Sequence, residues 1–402
     1  MIHIVREKRI EIAGGGMTMK RILLILLLFL LFTVRVFAGE PSVAARGAAL
    51  IDGETGRLLW GKNAEEPMAM ASTAKIMTAI LVLEHCALDE IVTVSKNAAK
   101  QPEVHMEMKE GERWRAGDLL SAMLLHSYND AAVALAEHIC GSTENFCQRM
   151  TEKAKEIGTK NSVFGSPNGL DSHLAEDAHY STAYDMALIA AYALKNEVFC
   201  EMIAQPEVYI TELEGKRSIQ VTNTDRFLRE YSGALGVKTG YTNRAGHCFV
   251  GAAKKDGVRL ISAVLGSGWG TAGKEQKWTD TKTLMGYGFD TFQPYRAIQK
   301  GTVFGEVSVE DSPTESVETI FATDYQALFS EEERAALTLS VEIPKQVEAP
   351  VQAGQRLGKA ILFLKEEALA EIDLLARQEA ERYTLMERLG NLREKWIAWR
   401  RF

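Results

Sequence analysis

The spacing of apolar residues changes several times along this 402-residue chain, and each change predicts a different element. Lys20-Arg21 precedes an apolar run from Ile22 to Val34, which Val36-Phe37-Ala38 follows. The run is 13 residues long and stops at Arg35, short of the ~20 that a membrane-spanning helix needs. A basic start, an apolar middle and small residues at the end predict an exported chain cut after Ala38. From Gly47 to Trp60 two apolar runs flank a glycine-containing turn, the pattern of a β-hairpin. Met68 to Glu84 carries small and apolar residues of good helical propensity, with Ser72 near its beginning. Leu119, Leu120, Met123 and Leu124, and later Ala187, Leu188 and Ala191, keep helical spacing from about 118 to 194. After Ser232-Gly233 the texture changes to short strand-like runs, Leu235 to Thr239, Cys248 to Ala253 and Arg259 to Leu265. Strands, then helices, then strands predict an α+β body with the helical part inserted.

Beyond Pro294 the runs become short and alternating, as in Thr302 to Val309, Leu337 to Ile343 and Lys359 to Leu364, with Pro313, Pro344 and Pro350 between them. They predict a small β domain of about 70 residues. From Glu366 to Phe402 there is no proline, and Leu385, Leu389, Leu392, Trp396 and Trp399 recur at steps of four and three. An amphipathic helix is expected there, ending among Arg393, Lys395, Arg400 and Arg401. Tryptophans among basic residues suit a membrane surface, and heptad-like spacing also suits a partner helix. The expected organisation is a leader at 1–38, a main domain at 39–293, a β-rich domain at 294–365 and a terminal helix at 366–402.

Composition narrows the partners. Loss of residues 1–38 removes six Lys/Arg and two Asp/Glu and takes the formal net charge from -8 to about -12. So acidic a chain lacks the basic footprint that nucleic acid requires. Five cysteines are too few for a disulfide framework; Cys140 and Cys147 are the one close pair, and Cys248 sits in an apolar run as a core thiol would. Asp171, His173, Asp177 and His179 cluster in one loop without a metal-ligand spacing, so no metal or other cofactor is expected.

Three short motifs carry the chemistry, in chain order: Ser72-Thr73-Ala74-Lys75, Ser127-Tyr128-Asn129 and Lys238-Thr239-Gly240. Each alone suits a helix cap or a strand end. Together they provide a serine, a lysine one helical turn away that can take its proton if burial keeps it neutral, and a second hydroxyl and amide. The strand supplies a cation and a hydroxyl for a carboxylate, and the Tyr241 N–H could join that of Ser72 as an oxyanion hole.

This set resembles the signature of the penicillin-binding proteins. More narrowly, the chain resembles the low-molecular-mass D-alanyl-D-alanine carboxypeptidases, of the spore-former type. The stretches that carry the likeness are Ala71 to Thr78, Ser127 to Ala132, Pro167 to Asp171, His179 to Met186 and Gly236 to Gly246. The resemblance implies a five-stranded antiparallel sheet flanked by helices, a β-rich domain after it and a terminal helix on the membrane. It also implies Ser72 as acylated nucleophile, Lys75 as base, Ser127 and Asn129 as the second catalytic element, and Lys238, Thr239 and Gly240 as the substrate strand. Where some relatives hold the substrate carboxylate with an arginine after the next strand, Gly266 to Glu275 offers only Lys274. The implied activity is removal of the last D-alanine from peptidoglycan stem pentapeptides at the outer face of the cytoplasmic membrane, with β-lactams acylating the same serine. A D,D-endopeptidase, a β-lactamase or a non-catalytic β-lactam sensor would use the same fold.

Overall fold

The computed structural model describes residues 39–400, so the expected leader lies outside the described residues. β1 (Gly47–Asp52) and β2 (Leu58–Lys62) form the expected hairpin. The Asp52 carboxylate closes its turn by accepting the Glu54 N–H at 2.9 Å and the Thr55 hydroxyl at 2.8 Å. A 3-10 turn (Ala71–Ala74) leads into α1 (Lys75–His85). Ser72 therefore lies in the tight turn, and the α-helix begins only at Lys75. A two-stranded ribbon, β3 (Ile91–Thr93) and β4 (Arg113–Arg115), precedes α2 (Ala116–His126), α3 (Asn129–Cys140) and α4 (Thr143–Ile157). After a long loop come α5 (Ala183–Ala193) and α6 (Glu197–Ala204), the hairpin β5 (Glu207–Thr211) and β6 (Ser218–Thr222), and the short α7 (Phe227–Glu230). The chain then returns to the sheet with β7 (Ala234–Thr242), β8 (Gly246–Lys255) and β9 (Val258–Leu265), and α8 (Gly270–Thr291) crosses behind it.

The main sheet has five antiparallel strands in the order β2-β1-β9-β8-β7. Because β1 and β9 are central, both faces must be covered, and their side chains are buried throughout β1. On one face Ile51, Val250, Ile261 and Ala263 pack under α1, α3 and α5. Those helices are rich in alanine at the contacts, such as Ala131, Ala134, Ala187 and Ala190, which lets them lie close to one another. On the other face Leu50, Phe249 and Leu260 meet Trp278, Leu284 and Met285 of α8. β7 is left at the edge, with one row of backbone groups free of any strand partner among the described residues.

A second β region follows. β10 (Gln293–Ile298) pairs with β13 (Tyr325–Phe329), and a six-stranded sheet runs β14-β16-β17-β12-β11-β15. Its members are β11 (Val303–Glu310), β12 (Ser316–Phe321), β14 (Leu337–Glu342), β15 (Gln346–Glu348), β16 (Arg356–Leu364) and β17 (Glu367–Ala376). α9 (Glu331–Ala335), opened by a Ser330/Glu333 capping box, turns the chain between β13 and β14. The Arg57 guanidinium ties the two regions: it meets both Glu333 carboxylate oxygens at 2.9 Å and lies over the Phe329 ring at 4.6 Å. Asp52 accepts the Leu328 N–H at 3.2 Å beside it.

The helix expected from Glu366 is corrected here. Glu367–Ala376 is a strand paired with β16, and only Leu385–Trp399 is helical, as α10. Alanine, leucine and glutamate favour a helix, but Ile372, Leu374 and Ala376 alternate into the domain core, and that burial outweighs local propensity. On α10, Leu385, Leu389, Leu392, Trp396 and Trp399 are all exposed. No described helix is long and apolar enough to cross a membrane. All five cysteines are free, including Cys140 and Cys147.

Candidate active site

The three motifs converge where the 3-10 turn, the α2–α3 junction and the edge strand β7 meet. Two close backbone approaches fix the turn. A Cβ on Gly240 would come within 2.9 Å of the Ser72 nitrogen, and one on Gly169, whose φ is +85°, within 2.1 Å of the Ala71 carbonyl oxygen. Only glycine permits the turn to be clasped from both sides. Ala71 itself is held at φ +50°, a costly conformation for a residue with a side chain. Strain of this kind next to Ser72 persists because the surroundings dictate it.

Lys75 is the centre of the polar network and is fully buried. Its Nζ lies 2.9 Å from Ser72 Oγ, 2.9 Å from Asn129 Oδ1 and 2.6 Å from the Asn168 carbonyl oxygen. Three partners suit both protonation states. A neutral amine donates twice, to Asn129 and Asn168, and accepts the Ser72 hydroxyl; an ammonium donates to all three while that hydroxyl turns to the Asn168 oxygen, 3.2 Å away. A proton can therefore pass between Ser72 and Lys75 without movement of a heavy atom. Burial first, and the Lys238 charge second, hold the Lys75 ammonium well below its ordinary pKa, against an opposing pull from Asp130.

Ser127 ends α2 in the left-handed conformation at φ +70°, and Asn129 begins α3. The Asn129 amide is held at both ends: Oδ1 receives Lys75, and Nδ2 donates to the Pro102 carbonyl at 3.1 Å. The amide thus supports Lys75 and keeps a second N–H and a second lone pair for another partner. Asp130, buried behind it, accepts the Met106 N–H at 2.8 Å and the Met108 N–H at 3.4 Å and so holds the 101–108 segment in place.

On β7, Lys238 is 1% exposed and its Nζ reaches only its neighbour's carbonyl, Thr239 O, at 3.2 Å. Burial, partly offset by Asp225 and reinforced by Lys277, brings its pKa down to about 7. Thr239 is half-buried, and Tyr241 is exposed with its ring 4.4 Å from that of His247. Lys274 is exposed near the start of α8, where its charge adds to the effect of burial in disfavouring the protonated forms of Lys277 and His247. One turn further on, Lys277 is buried against the Trp278 ring at 4.8 Å, and burial lowers its pKa to about 8. Asp225, buried and raised to about 6 by desolvation, completes a charged group behind Lys238. Sequence reasoning missed Asp225 and Lys277. The sequence carries no signal for them, since Asp225 stands among Asn223, Thr224 and Arg226 and Lys277 among Glu275, Gln276 and Thr279. Of the acidic and histidine loop, Asp171 accepts the Thr242 hydroxyl at 2.8 Å, whereas His179 Nδ1 accepts the Gly165 N–H at 3.0 Å.

Comparison with known proteins extends beyond these residues. The family model for D-alanyl-D-alanine carboxypeptidase matches residues 35–268, and that for the C-terminal domain of penicillin-binding protein 5 matches 292–382. The chain is 33% identical to the D-alanyl-D-alanine carboxypeptidase DacF of Bacillus subtilis (strain 168), over 90% of this chain and 95% of that protein. It is 34% identical to the D-alanyl-D-alanine carboxypeptidase DacB2 of Mycobacterium tuberculosis, over 62% and 84% respectively. Among solved structures it is similar to penicillin binding protein 5 from Haemophilus influenzae, with a TM-score of 0.70 and 26% identity over 86% of this chain and all of the other.

Proposed function

The chain belongs to the D-alanyl-D-alanine carboxypeptidase family and is a serine-type carboxypeptidase that removes the terminal D-alanine of peptidoglycan stem peptides; from this premise we propose which of its residues do the work. Ser72 is the nucleophile and neutral Lys75 its base. As the Ser72 oxygen attacks the carbonyl carbon of the penultimate D-alanine, its proton passes to Lys75 across the 2.9 Å contact. The tetrahedral oxyanion sits between the N–H groups of Ser72 and Tyr241, a pairing that the close approach of Gly240 to the Ser72 nitrogen supports. The Ser127 hydroxyl gives its proton to the departing D-alanine nitrogen and takes the one held by Lys75, the C–N bond breaks, and the acyl-serine ester remains beside a Lys75 that is neutral again. Water then attacks the ester, loses its proton to the same base and frees Ser72. Lys238 and Thr239 hold the terminal carboxylate, and the open edge of β7 pairs with the peptide main chain. β-Lactams enter by the same acylation step. Lys274, exposed on α8 and close enough to Lys277 to lower its pKa further than burial alone, offers a further positive charge to the carboxylate.

One observation carries the reading: a lysine with no carboxylate within hydrogen-bond reach is buried against a serine that sits on a strained, glycine-clasped turn. D-alanine release from a peptide ending in Lys-D-Ala-D-Ala tests it. Release by the wild-type chain that vanishes in Ser72→Ala and Lys75→Gln supports the assignment, and release that survives either substitution overturns it.

The same proposal extends to location. The chain is exported, and α10 rests on the outer membrane surface of the cell's cytoplasmic membrane, its leucines and tryptophans among lipid headgroups. The exposed stripe from Leu385 to Trp399, with Arg393 and Arg400 close by, supports that part.

A further inference from the structure

Away from the cleft, where α1 ends beside the last turn of α3, one mixed group of donor atoms comes together among the described residues. Cys86 Sγ, a Glu90 carboxylate oxygen and a His138 ring nitrogen all lie within 4.8 Å of one another. His138 Nε2 faces Glu90 Oε2 at 3.1 Å. Two such ligands on one tetrahedral zinc ion, each ~2.0–2.1 Å from it, stand ~3.3 Å apart, so this pair already has the required separation. Glu90 and His138 are exposed and Cys86 is buried, so the group opens to solvent on its carboxylate and imidazole side. The backbone holds the trio in place. Cys86 caps α1, its N–H donating to the Val82 carbonyl at 3.0 Å, and the chain turns at once so that the Glu90 N–H reaches the Ala87 carbonyl at 3.1 Å. From the start of α2 the Ala116 and Gly117 N–H groups donate to the Glu90 and Leu88 carbonyls at 2.9 and 2.8 Å and pin that turn. The Glu90 carboxylate is oriented through Oε1, which accepts the Ala87 N–H at 2.6 Å and leaves Oε2 directed at His138.

Donor chemistry says which ion. A thiolate, an imidazole and a carboxylate are ligand types that zinc accepts together, while calcium and magnesium call for oxygen donors. Thiolate and carboxylate carry two negative charges between them, which balance a divalent ion. Two helices also bring their C-terminal ends to this place, α1 through its capping Cys86 and α3 through His138 in its last turn, and the partial negative charge there favours a cation. An ion pair between Glu90 and His138 would need no sulfur. The thiol makes only a weak 3.4 Å contact with the Ala87 carbonyl and is the donor that the pair leaves unexplained.

We infer that Cys86, Glu90 and His138 form a binding site for one divalent cation of the zinc type, with water in the fourth position. On binding, the ion takes the lone pair of His138 Nε2 in place of that nitrogen's contact with Glu90, and the Cys86 thiol releases its proton to solvent. The effect is structural. α1 begins with Lys75 and α3 with Asn129, which hydrogen-bond at 2.9 Å, and the ion joins the same two helices at their other ends. The 11 residues of α1 span about 16 Å at 1.5 Å per residue, too far for the ion to touch a substrate beside Lys75. It is a clasp that keeps α1 and α3 from parting, and it stands independently of the catalytic reading. The loop of His173 and His179 supplies none of these donors, and 48 residues separate Glu90 from His138, so no spacing in the sequence announces the set.

The experiment uses the full chain, reduced and free of any histidine tag, with cobalt chloride or zinc chloride alone. One equivalent of Co²⁺ should bind with a submillimolar Kd and produce a near-ultraviolet thiolate-to-cobalt band together with the visible bands of a four-coordinate ion. Zn²⁺ should displace it and abolish both. Cys86→Ser should lose the near-ultraviolet band, and Glu90→Gln and His138→Gln should each weaken binding by about tenfold or more. Zinc should also raise the melting temperature of the wild type by a few degrees and leave that of His138→Gln unmoved. If circular dichroism shows Cys86→Ser unfolded, the two substitutions of exposed residues carry the test. No saturation below a millimolar overturns the inference, as does a cobalt spectrum without the thiolate band or a band that persists in folded Cys86→Ser. Binding that both Glu90→Gln and His138→Gln leave unchanged overturns it as well.

Discussion

The cleft and the C-terminal β region treat charge in opposite ways. In the cleft, Lys75 and Lys238 are buried and no carboxylate hydrogen-bonds to either. In the β region, Arg356 lies against Asp373, Lys359 against Glu371 and Arg377 against Glu318, all on an exposed sheet face. Exposed pairs of this kind add ~0–1 kcal/mol each and shift no chemistry. A buried ammonium without a counter-ion costs far more, and the fold retains it because the cost appears as a depressed pKa, which turns a lysine into a base. Where the molecule tolerates unpaired charge is where it reacts.

The contrast breaks most visibly at the two groups that share the proton. Ser72→Ala and Lys75→Gln should each reduce D-alanine release by on the order of 10⁴-fold or more, with acylation by labelled penicillin lost in parallel. Gly240→Ala comes next. Its new Cβ falls 2.9 Å from the Ser72 nitrogen, and the resulting shift of the turn should lower kcat by about 10²-fold, with the folded state preserved by circular dichroism.

The pH profile of kcat/KM sharpens the comparison further. Activity should rise as Lys75 loses its proton, at a pH well below the ordinary lysine range, and fall as Lys238 loses the charge that holds the carboxylate, above about 7. The two lysines interact, so the limbs belong to the pair. Asp225 raises the Lys238 pKa and Lys277 lowers it. Asp225→Asn should therefore move the alkaline limb to lower pH and Lys277→Met should move it higher, with plateau rates changed less than tenfold. Two limbs that move the same way would contradict the arrangement behind Lys238.

Changes in the outer region should leave catalysis alone. Trp396→Ser with Trp399→Ser should reduce co-sedimentation with anionic lipid vesicles several-fold while D-alanine release in solution stays unchanged; undiminished co-sedimentation would separate α10 from the membrane. Arg356→Ala should be the mildest, costing less than about 1 kcal/mol in urea unfolding, in keeping with an exposed pair.

What could be read in the sequence follows the same division. Ser72 and Lys75 stand one turn apart whatever the surroundings, so their meeting was legible from spacing. Placement of Ser72 on a 3-10 turn was not, because Gly169, which forces it, comes nearly a hundred residues later. The partners of Lys75 include a main-chain oxygen, that of Asn168, and no side-chain pattern announces a carbonyl. Lys277 was overlooked for Lys274 because a helix shows its buried face only once α8 is seen against the sheet. In the outer region, Glu367–Ala376 misled because its composition favours a helix, whereas its alternation of Ile372, Leu374 and Ala376 carried the right period of two. The four-and-three spacing along α10 spoke plainly because none of the described residues packs over it to rewrite the pattern.

The open edge of β7 has one more consequence. Hydrogen bonds between main chains are indifferent to which amino acids they join, but they fix where each Cα of the guest sits. With the backbone pinned in that register, a D-residue and its L mirror image differ in a single respect, the side of the strand to which the methyl group is sent. Handedness thus becomes a question of available room, asked at a position that the host's own amides have already measured out. Under the proposed pairing, an edge that most proteins must guard against stray partners serves as a gauge of chirality.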